Sequence, residues 1–227
     1  MFASDVSKIT IGVTGGIGAG KSAATDYLRE KGYAVVDADE VAREAVRPGE
    51  PALDALVAAF GRDMLRGDGT LDRLRLASIV FADAEKTRTL NEILHGDIKR
   101  RIEDRLHDIH KANDAAPVPE SAGVSKSAAE ASRGRRRHAP VFLSAPLLYE
   151  SGIDAICGEV WLIAAPEEIR IARAASRDGT TLDETRARAV RQMSEGEKRT
   201  RADVVIENAG AIEHLRRALD DLLERWA

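Results

Sequence analysis

The 227-residue chain has a single cysteine, Cys157, so it cannot close an internal disulfide, and a reducing cytoplasm is the expected setting. It has no apolar run near the ~20 residues needed to cross a bilayer, which excludes a membrane-spanning helix. Met1 to Lys8 lacks both the basic start and the apolar core of a secretory leader. Charge of one sign is not in excess either: 34 Lys and Arg against 38 Asp and Glu leave a formal −4. There is no global attraction to nucleic acid or to a membrane surface, and any anion the protein binds has to be met locally. Aromatics make up 4% of the chain, and none is interleaved with the basic cluster of Arg133, Arg135, Arg136 and Arg137. That cluster is read as a solvated charge run rather than a base-stacking surface.

What remains is the composition of a soluble globular protein, 44% hydrophobic and 32% charged, long enough for one domain with a buried core. Its most unusual stretch is "GVTGGIGAGKS", Gly12 to Ser22, with five glycines in eleven positions. It follows a short predicted strand, Ile9 to Thr14, and opens a predicted helix, Lys21 to Glu30, that Gly32 caps. A second strand, Tyr33 to Asp37, comes at once. Strand, glycine turn, helix and strand make a βαβ unit, so the fold class is α/β with a parallel sheet.

Gly15, Gly20, Lys21 and Ser22 satisfy G-x-x-x-x-G-K-[ST] in the place that its mechanism requires. Gly15, Gly16, Ile17, Gly18, Ala19 and Gly20 would let backbone N–H groups converge on an anion. The helix start at Lys21 would add its partial positive charge. The anion expected is the β-phosphate of ATP, with Lys21 spanning the β- and γ-phosphates and the Ser22 hydroxyl a ligand of Mg²⁺.

Helical periodicity then runs from 39 to about 111: Val41 to Val46, Ala52 to Phe60, Asp72 to Phe81, and Leu90 onward to Lys111. Residues 112–140, rich in Ala, Ser, Pro and Gly, read as a mobile insert. Val141 to Leu143, Val160 to Ile163 and Val204 to Ile206 are buried-type strands. They alternate with helices at Glu167 to Ser176, Asp183 to Met193 and Ala211 to Trp226. The expected organisation is a single domain: a core of 8–38 and 141–227 and a helical region at 39–111.

A phosphate cradle does not name a reaction. The late strand ends "VIENAG", without the Asn-Lys-x-Asp of a GTPase, and Val141-Phe142-Leu143 does not end in the acidic pair of a mechanical ATPase. A small-molecule kinase survives. Asp37 and Asp39 sit where the second strand ends, the edge at which parallel sheets bind ligands. Asp37 is equally readable as a helix N-cap.

"TGGIGAGKS", "VVDADEVAR", "DGTLDRLRL", "LNEILH", "PLLYESG", "RDG" and "ADVVIENAG", in this order, resemble dephospho-CoA kinases over most of the chain outside 112–140. The resemblance implies a P-loop kinase with a five-stranded parallel sheet flanked by helices, a helical acceptor-binding region and a lid at about 166–200. It implies transfer of the ATP γ-phosphoryl to the ribose 3′-hydroxyl of dephospho-CoA, the last step of coenzyme A synthesis. Asp39 would then accept the hydroxyl proton, and Arg43, four residues on, would share its helical face and grip acceptor phosphate. A surface ion pair with Glu40 or Asp39 is the other reading of Arg43. Arg170, Arg173 and Arg177 fall at helical spacings, and Arg173 and Arg177 match the lid arginines, expected to neutralise charge on the transferring group.

The chain departs from the family in places. His95-Gly96 replaces a frequent His-Pro, so His95 is read as a capping or core residue, and Ser144 stands where many members carry an acidic residue. His107 and His110 are read as surface residues and Cys157 as structural. Two alternatives stay open: a kinase for another hydroxylated acceptor such as a nucleoside, and a silent nucleotide-binding regulator. No nucleic-acid or membrane partner is expected, and nothing in the sequence sets the oligomeric state.

Overall fold

The structure, a computed structural model, describes residues 9–80, 83–115 and 139–226, with only the backbone of residues 114 and 115. Most of the expected insert, 116–138, lies outside the described residues, as do Met1 to Lys8 and Phe81. The chain divides into two compact units, Met1–Val36 with Leu106–Ala227, and Asp37–Arg105.

The first unit is built on five strands in the order β2-β3-β1-β4-β5. They are β1 (Thr10–Thr14), β2 (Val35–Asp37), β3 (Val141–Ser144), β4 (Glu159–Ala164) and β5 (Val204–Glu207). β1 pairs in parallel with β3 on one side and β4 on the other, and β4 pairs in parallel with β5. β1, β3 and most of β4 are buried, which is why these segments read as unbroken apolar runs rather than as alternation. The chain leaves β1 toward one edge of the sheet and later fills the other. β1 therefore sits at the reversal of strand order, where α/β sheets open a crevice at their carboxyl ends.

Helix α1 (Lys21–Glu30) ends in a Schellman motif: Gly32 is left-handed at φ +88°, its N–H donates to Arg29 O, and the Tyr33 N–H donates to Leu28 O. The core packs Leu28 and Tyr27 of α1 with Phe142, Trp161 and Ile163 of the sheet. Leu215, Leu219 and Leu223 of a later helix, Ile212–Leu223, complete it. The few aromatics are concentrated here. Tyr33 meets Phe142 edge-on at 5.6 Å between centroids, and Phe142 meets Trp161 at 5.3 Å.

The second unit holds α2 (Ala38–Glu44), α3 (Pro51–Phe60) and α4 (Arg73–Val80), and α5 (Ala84–Ala115) begins in it. Its own core is Val46, Leu53, Leu56, Met64, Leu71, Leu76 and Val80. Helix α5 is longer than the sequence pattern suggested. It starts before Leu90, passes through Gly96 and runs four residues beyond Lys111. A single glycine costs a helix only about 1 kcal/mol, and the Arg101 pairs with Asp97 and Glu50 support the turn that follows.

The remaining helices are α6 (Glu167–Asp178), α7 (Leu182–Ala189), α8 (Glu195–Arg201) and α9 (Ile212–Leu223). The helix expected over Asp183 to Met193 is α7, which ends four residues early at Ala189, and α8 beyond that range is an additional helix. Ser194 and Glu197 form a capping box that starts α8 afresh. Among the described residues no helix is long and apolar enough to cross a membrane.

Two readings of single residues change, and for Asp37 the capping reading is the one observed. His110 is buried, not a surface residue. It lies on the same face of α5 as buried Leu106, and its Nε2 is 3.1 Å from Thr10 Oγ1, a partner that makes the burial tolerable. His95 is neither capping nor core, because it is exposed in the middle of α5. Asp37 is the N-cap of α2, accepting from the backbone N–H groups of Asp39 (2.9 Å) and Glu40 (3.1 Å). Asp37→Ala should lower stability by about 1 kcal/mol, read as a drop in melting temperature. An unchanged melting temperature would show that the cap carries no net weight.

Candidate active site

The loop from Gly15 to Ser22 follows β1 and enters α1, and its shape depends on glycine at two points. Gly18 and Gly20 are left-handed, at φ +73° and +99°. A Cβ on Gly18 would lie 1.9 Å from Arg170 O, and one on Gly20 would lie 2.1 Å from Asn208 Nδ2. These glycines therefore serve two ends: they allow the backbone to turn, and they let it lie against other segments of the chain.

Those segments hold the loop from outside. Arg170, at the first turn of α6 and 8% exposed, sends Nε to Ala165 O (2.9 Å) and Nη1 to Ile17 O (3.4 Å). Its Nε also lies 2.9 Å from Glu195 Oε2, an ion pair rather than a second hydrogen bond, since the single Nε hydrogen points to Ala165. Gln192, between α7 and α8, accepts the Ile17 N–H at 3.0 Å. Asn208, just after β5, donates its side-chain amide to Ala19 O (2.8 Å) and its own N–H to Ala164 O (2.7 Å).

Arg173, one turn beyond Arg170, donates to Asn208 O (2.7 Å) and Gly210 O (3.4 Å), so it braces the segment that braces the loop. Arg177, the next along the helix, is exposed and held by Asp178 at 2.7 Å. Lys21 reaches across to β3, its Nζ 2.6 Å from Ser144 Oγ. Ser144 stands at the carboxyl end of β3, beside β1, and the serine hydroxyl accepts from the lysine where a carboxylate would form an ion pair. A cavity of about 480 Å³ opens beside Gly16, lined by Arg170, Arg186, Gln192, Glu195 and buried Lys198. Lys198 is satisfied there by donating to Pro146 O (2.9 Å) and pairing with Glu150 (3.2 Å).

In the second unit, Asp39 and Arg43 lie on α2 at i and i+4, both exposed. Among the described residues Arg43 makes no ion pair, and neighbouring Glu44 pairs with Arg105 and Arg47 instead. Cys157 is largely enclosed, and burial pushes its thiol up to about 12, which leaves it a protonated, unreactive group at neutral pH.

The residues that touch the loop and were not singled out from sequence are Gln192 and Asn208, with Arg170 noted only as one of three spaced arginines. The family profile for dephospho-CoA kinase matches residues 9–119 and 124–214. This chain belongs to the dephospho-CoA kinase family. A dephospho-CoA kinase of Shouchella clausii is 38% identical over 217 residues, covering 96% of this chain and 98% of its own. The crystal structure of TT1252 from Thermus thermophilus superposes with a TM-score of 0.74 at 35% identity, covering 96% of this chain and 98% of that one. A dephospho-CoA kinase from Campylobacter jejuni, 24% identical and covering 95% and 96%, shares the fold with a TM-score of 0.65.

In this kinase fold, Asn208 ties the end of the sheet to the phosphate loop. Asn208→Ala leaves the buried Ala19 carbonyl without its partner, an expected loss of about 1–3 kcal/mol of stability. Because the loop it holds is the phosphate cradle, the KM for ATP should also rise several-fold. A variant less stable than the parent but with the parent's KM for ATP would confine Asn208 to the fold.

Proposed function

We propose that the protein transfers the γ-phosphoryl group of ATP to the ribose 3′-hydroxyl of dephospho-CoA, releasing ADP and coenzyme A, the last step of coenzyme A synthesis. The observation that carries this reading is the family match, which runs through the phosphate loop, the D-A-D block and "VIENAG" without leaving a functional segment unaccounted for.

The roles follow from the chemistry of phosphoryl transfer, which is mostly positioning and charge stabilisation. The backbone N–H groups of the loop and of the start of α1, other than those of Ile17 and Ala19 that Gln192 and Gly16 take up, hold the β-phosphate, and Lys21 spreads its charge over the β- and γ-phosphates. Arg173 and Arg177 supply positive charge toward the transferring group, as the family lid implies. Asp39 orients the acceptor hydroxyl and takes its proton as the P–O bond forms, and Arg43 holds acceptor phosphate. The O–P bond to the ADP leaving oxygen breaks as the new ester bond is made, so the transfer is balanced without another reactant.

Among the described residues no three His, Cys, Asp or Glu side chains are grouped for a metal. The exposed Ser22 hydroxyl at the start of α1 offers a single hard oxygen beside the cradle. That fits Mg²⁺, which keeps several waters and takes most of its other ligands from phosphate. When bound, it would neutralise charge on the triphosphate oxygens. The lone, enclosed cysteine supports a cytoplasmic setting.

The test is to incubate the purified protein with ATP, Mg²⁺ and a panel of dephospho-CoA, nucleosides and other alcohols, and to identify products by mass. Coenzyme A and ADP in equal amounts support the proposal. Phosphorylated nucleoside with no coenzyme A, or bound ATP with no transfer, would overturn it.

A further inference from the structure

Ile17 is gripped at both ends of its own backbone. Its N–H donates to Gln192 Oε1 at 3.0 Å, and its carbonyl oxygen lies 3.4 Å from Nη1 of Arg170. Both partners come from the chain that follows β4: Arg170 from the first turn of α6, Gln192 from the junction between α7 and α8. That stretch is itself tied together. Glu195, at the start of α8, pairs with Arg170 at 2.9 Å, and Glu150 accepts the Met193 N–H at 2.8 Å. Arg170 covers Gly16 so closely that a Cβ there would come within 2.5 Å of Nη1. A trans peptide is planar, with its C=O and N–H pointing opposite ways. Drawing the Ile17 N–H outward to Gln192 therefore turns the Gly16 carbonyl inward, where it accepts the Ala19 N–H at 3.0 Å. This closes a four-residue turn, Gly16 to Ala19, whose third residue, Gly18, has φ +73°. Positive φ at that position marks the type II turn, in which the middle peptide is turned over relative to type I. The middle peptide here joins Ile17 to Gly18. Its carbonyl faces out to Arg170, so its N–H, that of Gly18, faces the inside of the loop.

Resting on the kinase reading above, we propose that Gln192 and Arg170 are positioning residues for the nucleotide: together they hold the Ile17–Gly18 peptide in the orientation that offers the β-phosphate the Gly18 N–H instead of the Ile17 carbonyl. A carbonyl in that place would set an oxygen against an anion, so the orientation decides whether this peptide attracts or repels the ligand. Gly18 allows the backbone to take that form. Glycine alone does not select it, since it populates positive and negative φ about equally. The selection falls to the two contacts made from outside the loop. The pair with Glu195 offsets the Arg170 charge, so Arg170 acts through the backbone it holds and not as a cation facing phosphate.

ADP and AMP separate this role from a purely structural one, because both carry the adenosine and only ADP carries the β-phosphate. The parent should bind ADP more tightly than AMP. Gln192→Met keeps the length of the side chain and removes the acceptor. It should lower the preference for ADP about tenfold, the order expected for one hydrogen bond to a charged group, with AMP affinity unchanged within about twofold. Arg170→Met should act in the same direction. If it fails to fold with Glu195 left unpaired, the double variant Arg170→Met with Glu195→Gln carries the same readout. In protein made with isotope-labelled glycine, the Gly18 amide proton should move downfield when ADP is added to the parent, and this shift should shrink in Gln192→Met. A preference within about twofold of the parent in either variant, once folded, or a Gly18 shift as large as the parent's, overturns the proposal and leaves the kinase reading standing. A lower melting temperature with the preference intact confines both contacts to the fold and overturns it equally. A parent that binds ADP no better than AMP removes the glycine loop from nucleotide binding and overturns the kinase reading and this proposal together.

Discussion

Lys21→Ala should lower kcat by about 10²–10³-fold or more at saturating ATP, with the melting temperature close to that of the parent. The side chain lies at the first position of α1, and its Nζ is held by Ser144 Oγ at 2.6 Å, so it is set in place before nucleotide arrives. Removing one preorganised donor from a charge-stabilising site typically costs 10²–10³-fold, and phosphoryl transfer has little else to draw on. Stability should change little because Lys21 is only half-buried and lies outside the hydrophobic core. Steady-state rates with dephospho-CoA and ATP check this, together with thermal unfolding. A variant within tenfold of the parent at saturating ATP would remove the glycine loop from the mechanism.

Asp39→Asn should lower kcat by about a hundredfold, leaving ATP affinity and stability nearly unchanged. Asparagine keeps the shape and one acceptor oxygen but cannot take the proton. General bases contribute ~10²–10⁴-fold, with the low end expected where the transition state is loose. The prediction is cleaner here than at Asp37. The Asp39 carboxylate is exposed, and it is the Asp37 carboxylate that accepts the α2 cap bonds, so loss of the Asp39 charge should not unravel the helix. A kcat within a few-fold of the parent for Asp39→Asn, with an inactive Asp37→Asn, would move the base to the first aspartate of the block.

The elements around the phosphate loop were legible because each is written locally. Lys21–Glu30 was read to the residue from its periodicity and from Gly32, and the buried strands announced themselves as apolar runs. The supports of the loop were not legible. Gln192 and Asn208 meet it from 175 and 189 residues away, a distance that no local pattern crosses. Helix ends failed for a different reason. The helix read from Leu90 to Lys111 already ran through Gly96 but missed the first and last turns of α5, where apolar periodicity fades, whereas the Ser194 and Glu197 capping box was present in the sequence as S-x-x-E and went unread. His110 shows that polarity alone misleads: its surroundings, not its type, put it inside.

The bond from Asn208 to Ala19 also bears on how the protein comes into being. A ribosome makes the glycine loop within the first tenth of the chain, but the residue that pins its backbone is made 189 residues later. Domains settle as units during synthesis, at about 5–20 residues per second. For many seconds the growing chain therefore carries the phosphate-binding sequence without the form that binds. Chains stalled before β5 should not be retained on immobilised ATP, while the complete chain should. Nucleotide capture thus becomes a property of the finished molecule, and fragments released early do not occupy ATP.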